Sequence, residues 1–187
     1  MSVADDIGAL FDRRGAGEYF GEKVSMSEHA LQAAYFGGAA GASSSLIVAA
    51  LLHDIGHLIG GAPSDIKDWT SDAHHEAIGS RWLAARFPPE VSEPVRLHVS
   101  AKRYLLATDD EYFAKLSPAS VITLKLQGGP MAADEIAKFE TEPFYQQAIL
   151  VRRWDDLGKV AGLATPAFAD YRASIERLEK ISTASRR

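Results

Sequence analysis

Residues 43–57 read SSSLIVAALLHDIGH. Three serines, any of which can cap a helix N-terminus, precede an uninterrupted apolar run from Leu46 to Leu52. A helix that is apolar nearly all round belongs at the centre of a fold. The pattern therefore predicts a central helix from Leu46 to about Leu58, ended by Gly60, Gly61 and Pro63. At its C-terminal end stand His53 and Asp54, with His57 four residues after His53 on the same face. A lone histidine there is an ordinary partner for the helix dipole. An Asp in so apolar a segment is costly unless it meets a metal, a cation or several donors. Adjacent helical side chains point about 100° apart, so His53 and Asp54 share a metal only if the helix end faces it.

Outward from this segment, helical patterns dominate. Val3, Ile7, Leu10 and Phe11 mark a helix from Val3 to Arg13, stopped by Gly15 and Gly17. Ser27 is a plausible cap for a helix through Ala40, and Asp72 for one running to Phe87 before Pro88-Pro89. Further helices are expected over Glu90–Leu105 and Ser117–Leu126, the second opening on a capping Ser and a first-turn Pro. Others are expected over Asp134–Glu140, Pro143–Leu157 and Pro166–Ile181. No stretch alternates with period two. The reading is all-α, one domain over residues 1–187, with 182–187 a polar, frayed tail.

Composition narrows the function. A chain of 187 residues, 47% hydrophobic and 24% charged, is ordinary for a soluble domain that buries its own core. There are no cysteines, which removes disulfides, thiolate nucleophiles and sulfur-ligated metals. A net charge of −5 argues against a nucleic-acid partner. The longest apolar run is far short of the roughly 20 residues that span a bilayer, and residues 1–15 lack the apolar stretch of a signal peptide. No nucleic acid, no membrane and a cytoplasmic location are the expectations.

The six histidines are His29, His53, His57, His74, His75 and His98. Imidazole and carboxylate without thiolate suit Fe, Mn, Co or Ni better than copper, with zinc possible. A dinuclear site needs about six protein ligands, and an Asp held between two ions gives one oxygen to each. His29, His53, Asp54, His75 and His98 supply five, and an Asp of RRWDD at 152–156 can supply the sixth.

The order His29, His53-Asp54, then a distant Asp155 resembles the signature of the HD-domain superfamily. That superfamily holds metal-dependent phosphohydrolases and a small group of mixed-valent diiron oxygenases. The chain is most similar to the organophosphonate-degrading oxygenases of that group. The matching segments are EYFGE at 18–22, EHALQ at 28–32, AALLHDIGH at 49–57, HEAIGS at 75–80, HVSAKRYL at 98–105, LSPAS at 116–120, LQGGPM at 126–131 and RRWDD at 152–156. HDIGH is only moderately specific; HVSAKRYL, LQGGPM and RRWDD in this order are much more so.

The resemblance implies two iron ions in a mixed-valent Fe(II)/Fe(III) pair, with O2 as co-substrate. It implies a first iron on His29, His53 and Asp155, a second on His75 and His98, and Asp54 bridging. His75 is taken rather than His74 because it begins the HEAIG match. Lys102, Ser120, Thr123, Gln127 and Arg152 fall at phosphonate-contacting positions, and a dianion does want cations, a guanidinium fork and neutral donors. Tyr19 and Glu22 match a lid pair, the Tyr closing the open iron position and the Glu meeting a substrate ammonium, while His57 lines the site. The implied reaction is O2-dependent C–P cleavage of a small 1-hydroxy-2-aminoethylphosphonate or its trimethylammonium counterpart, giving phosphate plus glycine or glycine betaine. Asp65, Asp68, Trp69 and Asp72 suggest a box for the trimethylated cation. The rivals are a metal-dependent phosphohydrolase, a diiron oxygenase cleaving a C–C bond of a polyol, and a binder that keeps the fold without catalysis. The oligomeric state is not legible.

Overall fold

A computed structural model of the chain describes residues 2–60 and 74–184, with side chains to Glu179. The described residues form ten α-helices and no strand; the one β-bridge joins Glu18 to Ser25. The helices are α1 Val3–Arg14, α2 Met26–Ala39, α3 Ser44–Leu52, α4 Ile55–Gly60, α5 His75–Ala84, α6 Pro89–Thr108, α7 Pro118–Leu126, α8 Ala133–Phe139, α9 Tyr145–Leu157 and α10 Phe168–Ala184. None is long and apolar enough to cross a membrane.

The apolar run does sit at the centre. Leu46, Val48, Ala49, Ala50, Leu51 and Leu52 of α3 are all buried, and α2, α6, α9 and α10 pack around them. Each buried Leu or Val contributes roughly 1.5–3 kcal/mol, so α3 anchors the bundle. Behind it, α1 and α10 close the core through Ile7, Phe11, Ile175 and Leu178, and Arg172 pairs with Asp5 at 2.7 Å. A smaller apolar cluster (Leu97, Ala101, Met131, Phe139, Ala148) seals α6, α8 and α9 on the far side.

Four local expectations change. The predicted helix from Leu46 to Leu58 is two helices, α3 and α4, parted by a turn at His53-Asp54. The hydropathy is continuous, so periodicity does not see the break. The cap of α2 is Ser25, not Ser27. Ser25 Oγ accepts the Glu28 N–H at 3.2 Å and the Glu28 carboxylate accepts the Ser25 N–H at 2.6 Å, a reciprocal box that puts Ser27 inside the first turn. Helix α5 begins at His75, after His74 in a left-handed conformation (φ 47°); the expected cap Asp72 lies outside the described residues. Helix α10 runs past the expected end at Ile181 to Ala184, and 185–187 lie outside the described residues.

Candidate metal centre

The break at His53-Asp54 solves the problem posed by 100° spacing. With the helix interrupted, both side chains converge, His53 Nε2 lying 3.4 Å from Asp54 Oδ2. Around this turn α2 contributes His29, α5 His75, α6 His98 and α9 Asp155. All six side chains are buried.

Asp54 divides them into two groups. Its Oδ2 faces His53 and, at 3.7 Å, His29 Nε2; its Oδ1 faces His75 Nε2 at 3.2 Å and His98 Nε2 at 3.6 Å. Asp155 joins the first group, its Oδ1 lying 3.4 Å from His29 Nε2 with no hydrogen-bond partner. Each group of three, His29-His53-Asp54 and Asp54-His75-His98, has its ligand atoms within 4.8 Å of one another.

Hydrogen bonding behind the rings identifies what belongs between them. His29 Nδ1 meets the carbonyl of Gly158 at 2.9 Å, His53 Nδ1 that of Ala50 at 2.8 Å, and His98 Nδ1 that of Val95 at 2.7 Å. A carbonyl only accepts, so each of these Nδ1 atoms carries a proton and each ring turns its Nε2 inward. Yet His29 Nε2 and His53 Nε2 are 3.1 Å apart, as are His75 Nε2 and His98 Nε2. Ring nitrogens this close to one another and to carboxylates need a proton or a metal cation among them. Four imidazoles and two carboxylates at these spacings fit a pair of first-row transition-metal ions.

The ionisation pattern follows. Burial holds His29 down to about 4. Burial also works against His53, but Asp54 and Asp155 outweigh it and raise His53 to about 9, so a proton takes the place of a cation there. Asp155, despite burial, is held far below the carboxylate range by Arg152 and Lys159.

Backbone details aim the ligands. Gly158 follows α9, and a Cβ there would lie 3.1 Å from the His29 carbonyl and 3.2 Å from His29 Nδ1, so a side chain at this position would crowd the ring that its carbonyl holds. Gln32 clamps the next residues, donating to the Val160 carbonyl at 2.8 Å and accepting its N–H at 2.9 Å.

Beside Asp54 lies a cavity of about 40 Å³, room for a few waters. Lys102, Ser120, Thr123, Gln127 and Arg152 all line it, with Tyr19 and His57. Ser120, Thr123 and Gln127 follow one face of α7 and its C-cap. Lys102 Nζ donates to Thr123 Oγ1 at 3.0 Å, and Gln127 Oε1 is buried without a partner. Two residues missed from sequence belong here. Lys159 donates to Ser120 Oγ at 3.1 Å, and Tyr112 accepts from Arg152 Nε at 2.9 Å. Only the neighbourhood of RRWDD signalled the first, and nothing signalled the second.

Tyr19 fills the remaining space. Its ring stacks on His29 at 3.8 Å and its hydroxyl donates to Asp54 Oδ2 at 2.9 Å. Burial, then Asp54, raises its pKa well above the ordinary value, so the phenol keeps its proton. It is presented by a tight turn in which Phe20 takes a left-handed conformation (φ 49°) rare for a bulky residue. Phe20 packs on His57 at 4.8 Å, and His57 stacks on His75 at 4.0 Å. Glu22, from the same turn, does not line this cavity. It borders an outer groove with Glu18, Lys23 and Glu28, and its Oε1 is buried without a partner. His74 points away from the cluster with its side chain 71% exposed, leaving His75 as the inward residue. Asp65, Asp68 and Trp69, like Asp72, lie outside the described residues.

Comparison with known proteins agrees with this geometry. The HD-domain model matches residues 26–158. The chain is 46% identical, over 95% of its length and 90% of the relative's, to the 1-hydroxy-2-(trimethylamino)ethylphosphonate dioxygenase (glycine-betaine-forming) of Leisingera caerulea. It is 44% identical to the hydroxymethylphosphonate dioxygenase of Gimesia maris, over 84% of this chain and 79% of the relative. An uncharacterised protein of Acanthamoeba polyphaga mimivirus is 33% identical over 87% of this chain and 75% of its own.

Proposed function

The chain belongs to the HD-domain family, and on that footing we propose that it is an oxygenase that cleaves the C–P bond of a small 1-hydroxyphosphonate. The observation that carries this is a juxtaposition. Two groups of inward-facing ring nitrogens share Asp54, and beside them three basic side chains, Lys102, Arg152 and Lys159, line one cavity. In this reading His29, His53 and Asp155 hold one iron, His75 and His98 the other, and Asp54 bridges. A mixed-valent Fe(II)/Fe(III) pair held there supplies O2 activation and the oxidation of C1, the carbon bearing both hydroxyl and phosphorus.

The chain's own residues bind and orient. A phosphonate dianion sits among Lys102, Arg152 and Lys159, with the Ser120 and Thr123 hydroxyls and the Gln127 amide as neutral donors. That places C1 and its hydroxyl toward Asp54. Tyr19 holds the part of this cavity next to Asp54 Oδ2, so a substrate that reaches Asp54 displaces the phenol. Tyr19 and Glu22 share a turn, so the same movement carries the bare Glu22 Oε1 toward the amine end. Phe20, Tyr19 and the His57 ring then offer aromatic faces to a cation without N–H donors, which favours a trimethylammonium group over a primary amine. The products are phosphate and a carboxylate, glycine betaine from the trimethylated substrate. The names of the two dioxygenase relatives support the same reaction class.

The test is O2 uptake with phosphate assayed in parallel, using iron-loaded protein. The substrates are hydroxymethylphosphonate, 1-hydroxy-2-aminoethylphosphonate and its trimethylated analogue. One phosphate released per O2 consumed is expected, fastest with the trimethylated compound. Absence of O2 uptake, with phosphate released from nucleotides anaerobically, would replace the oxygenase with a phosphohydrolase.

A further inference from the structure

The Arg152 guanidinium is held on three sides. Nε donates to Tyr112 Oη at 2.9 Å and to Asp156 Oδ2 at 3.1 Å, Nη2 donates to Asp156 Oδ1, and Nη1 donates to Asp155 Oδ2 at 2.7 Å. Asp156 thus grips Arg152 with both oxygens, the geometry that fixes a guanidinium plane. The Tyr112 hydroxyl in turn gives its proton to Asp156 Oδ2 at 2.5 Å. Tyr112 is buried, and it comes from the segment after α6 to reach across to α9. Three of the five guanidinium N–H groups are engaged in this way, and Arg152 lines the cavity. Asp155 shows the consequence: its Oδ2 is taken by Arg152, while its Oδ1 has no hydrogen-bond partner and faces His29 Nε2 at 3.4 Å, with Lys159 Nζ at 3.8 Å.

We propose that Tyr112 and Asp156 are positioning residues, which lock Arg152 so that it fixes Asp155 as a one-oxygen metal ligand and turns its remaining N–H groups to the substrate anion. One guanidinium then joins a metal ligand to the phosphonate site. Neither residue touches metal or substrate. The substrate half of the inference rests on the function proposed above; the metal half does not.

The experiment uses the full chain and Mn(II), with free ion counted by its EPR signal, for the wild type and for Asp156→Asn, Tyr112→Phe and Asp109→Asn. Asp109 pairs with Arg153 at 3.2 Å between the same two parts of the fold, and its carboxylate bonds Arg153 and the Glu111 N–H rather than Arg152 or Asp156. Asp156→Asn should weaken one of the two Mn(II) sites about tenfold, the usual effect of removing a partner that orients a ligand, and leave the other unchanged. Tyr112→Phe keeps the ring in the core and should shift the same site in the same direction by less. Asp109→Asn should shift neither. Equilibrium binding of hydroxymethylphosphonate to Mn(II)-loaded protein should weaken alongside in the two relay variants. The relay is overturned if Asp156→Asn and Tyr112→Phe leave both Mn(II) affinities unchanged, if both sites weaken equally, or if Asp109→Asn has the same effect. A wild type that binds two Mn(II) ions but no hydroxymethylphosphonate sinks the substrate reading alone, and the Mn(II) titrations still decide the relay.

Discussion

Burial, reinforced by the nearby charge of Arg152, lets the Lys102 ammonium lose its proton at about 7 rather than near 10.5. Above pH 7 the free protein therefore holds a neutral amine facing the cavity. A phosphonate dianion favours the charged form and raises that pKa, so binding at pH 8 takes up a proton and weakens as pH climbs further. Calorimetry of metal-loaded protein in two buffers of different ionisation enthalpy should register this uptake. Lys102→Met should abolish it; an undiminished uptake in that variant would assign the proton elsewhere. The clustering of His29, His53, Asp54, His75 and His98 was legible because each is a polar group in an apolar helical context. Lys159 was not. A lysine after a helix end reads as a solvated charge, and its burial depends on Gln32 pinning the neighbouring Val160 backbone, a contact 128 residues away in the chain. Tyr112 lies in a polar stretch, TDDEYF, where composition offers no hint of a buried hydroxyl.

Helices α4 and α5 meet at glycines. A Cβ on Gly56 would collide with the carbonyl of His75, a backbone atom that cannot swing aside as a side chain can. Gly56→Ala should force α5 away from Asp54, destabilise the fold by about 1–3 kcal/mol as overpacking does, and weaken metal at the Asp54-His75-His98 group. Gly38, inside α2, has open space where a Cβ would go. There the same substitution should stabilise by about 0.5–1 kcal/mol. Urea unfolding of the two variants should show opposite signs. Helix positions along the chain were readable from apolar spacing and caps to within a few residues. The turn at His53-Asp54 was not, because the apolar residues continue on both sides of it, and it is the element on which the whole centre depends.

The six candidate ligands come from α2, the α3–α4 turn, α5, α6 and α9, so bound ions would tie together parts of the molecule that meet nowhere else in sequence. Ions that bind only the folded chain stabilise it, by about 2.7 kcal/mol for one site at a free concentration a hundred times its Kd. For a domain of this size that is roughly 5–10 °C in Tm. Scanning calorimetry with and without a chelator should show a fall of that order, and an unchanged Tm would mean that the centre contributes nothing to the fold. The all-α class was plain from sequence because period-two alternation is absent throughout. That α10 folds back to cover α1 and α3 was not, since its apolar face carries no mark of its partner.

The ligand set has one more implication. Four imidazoles and two carboxylates contain no sulfur, and nitrogen and oxygen donors of this kind bind Zn(II) more tightly than Fe(II). Nothing in the donor chemistry refuses the wrong ion. Zinc seated at Asp54 would keep the helices together and the fold intact while ending any redox reaction, because zinc has no second valence to offer. Donor chemistry alone would therefore favour zinc, and filling this centre with iron would depend on the geometry of the site and on the supply of metal.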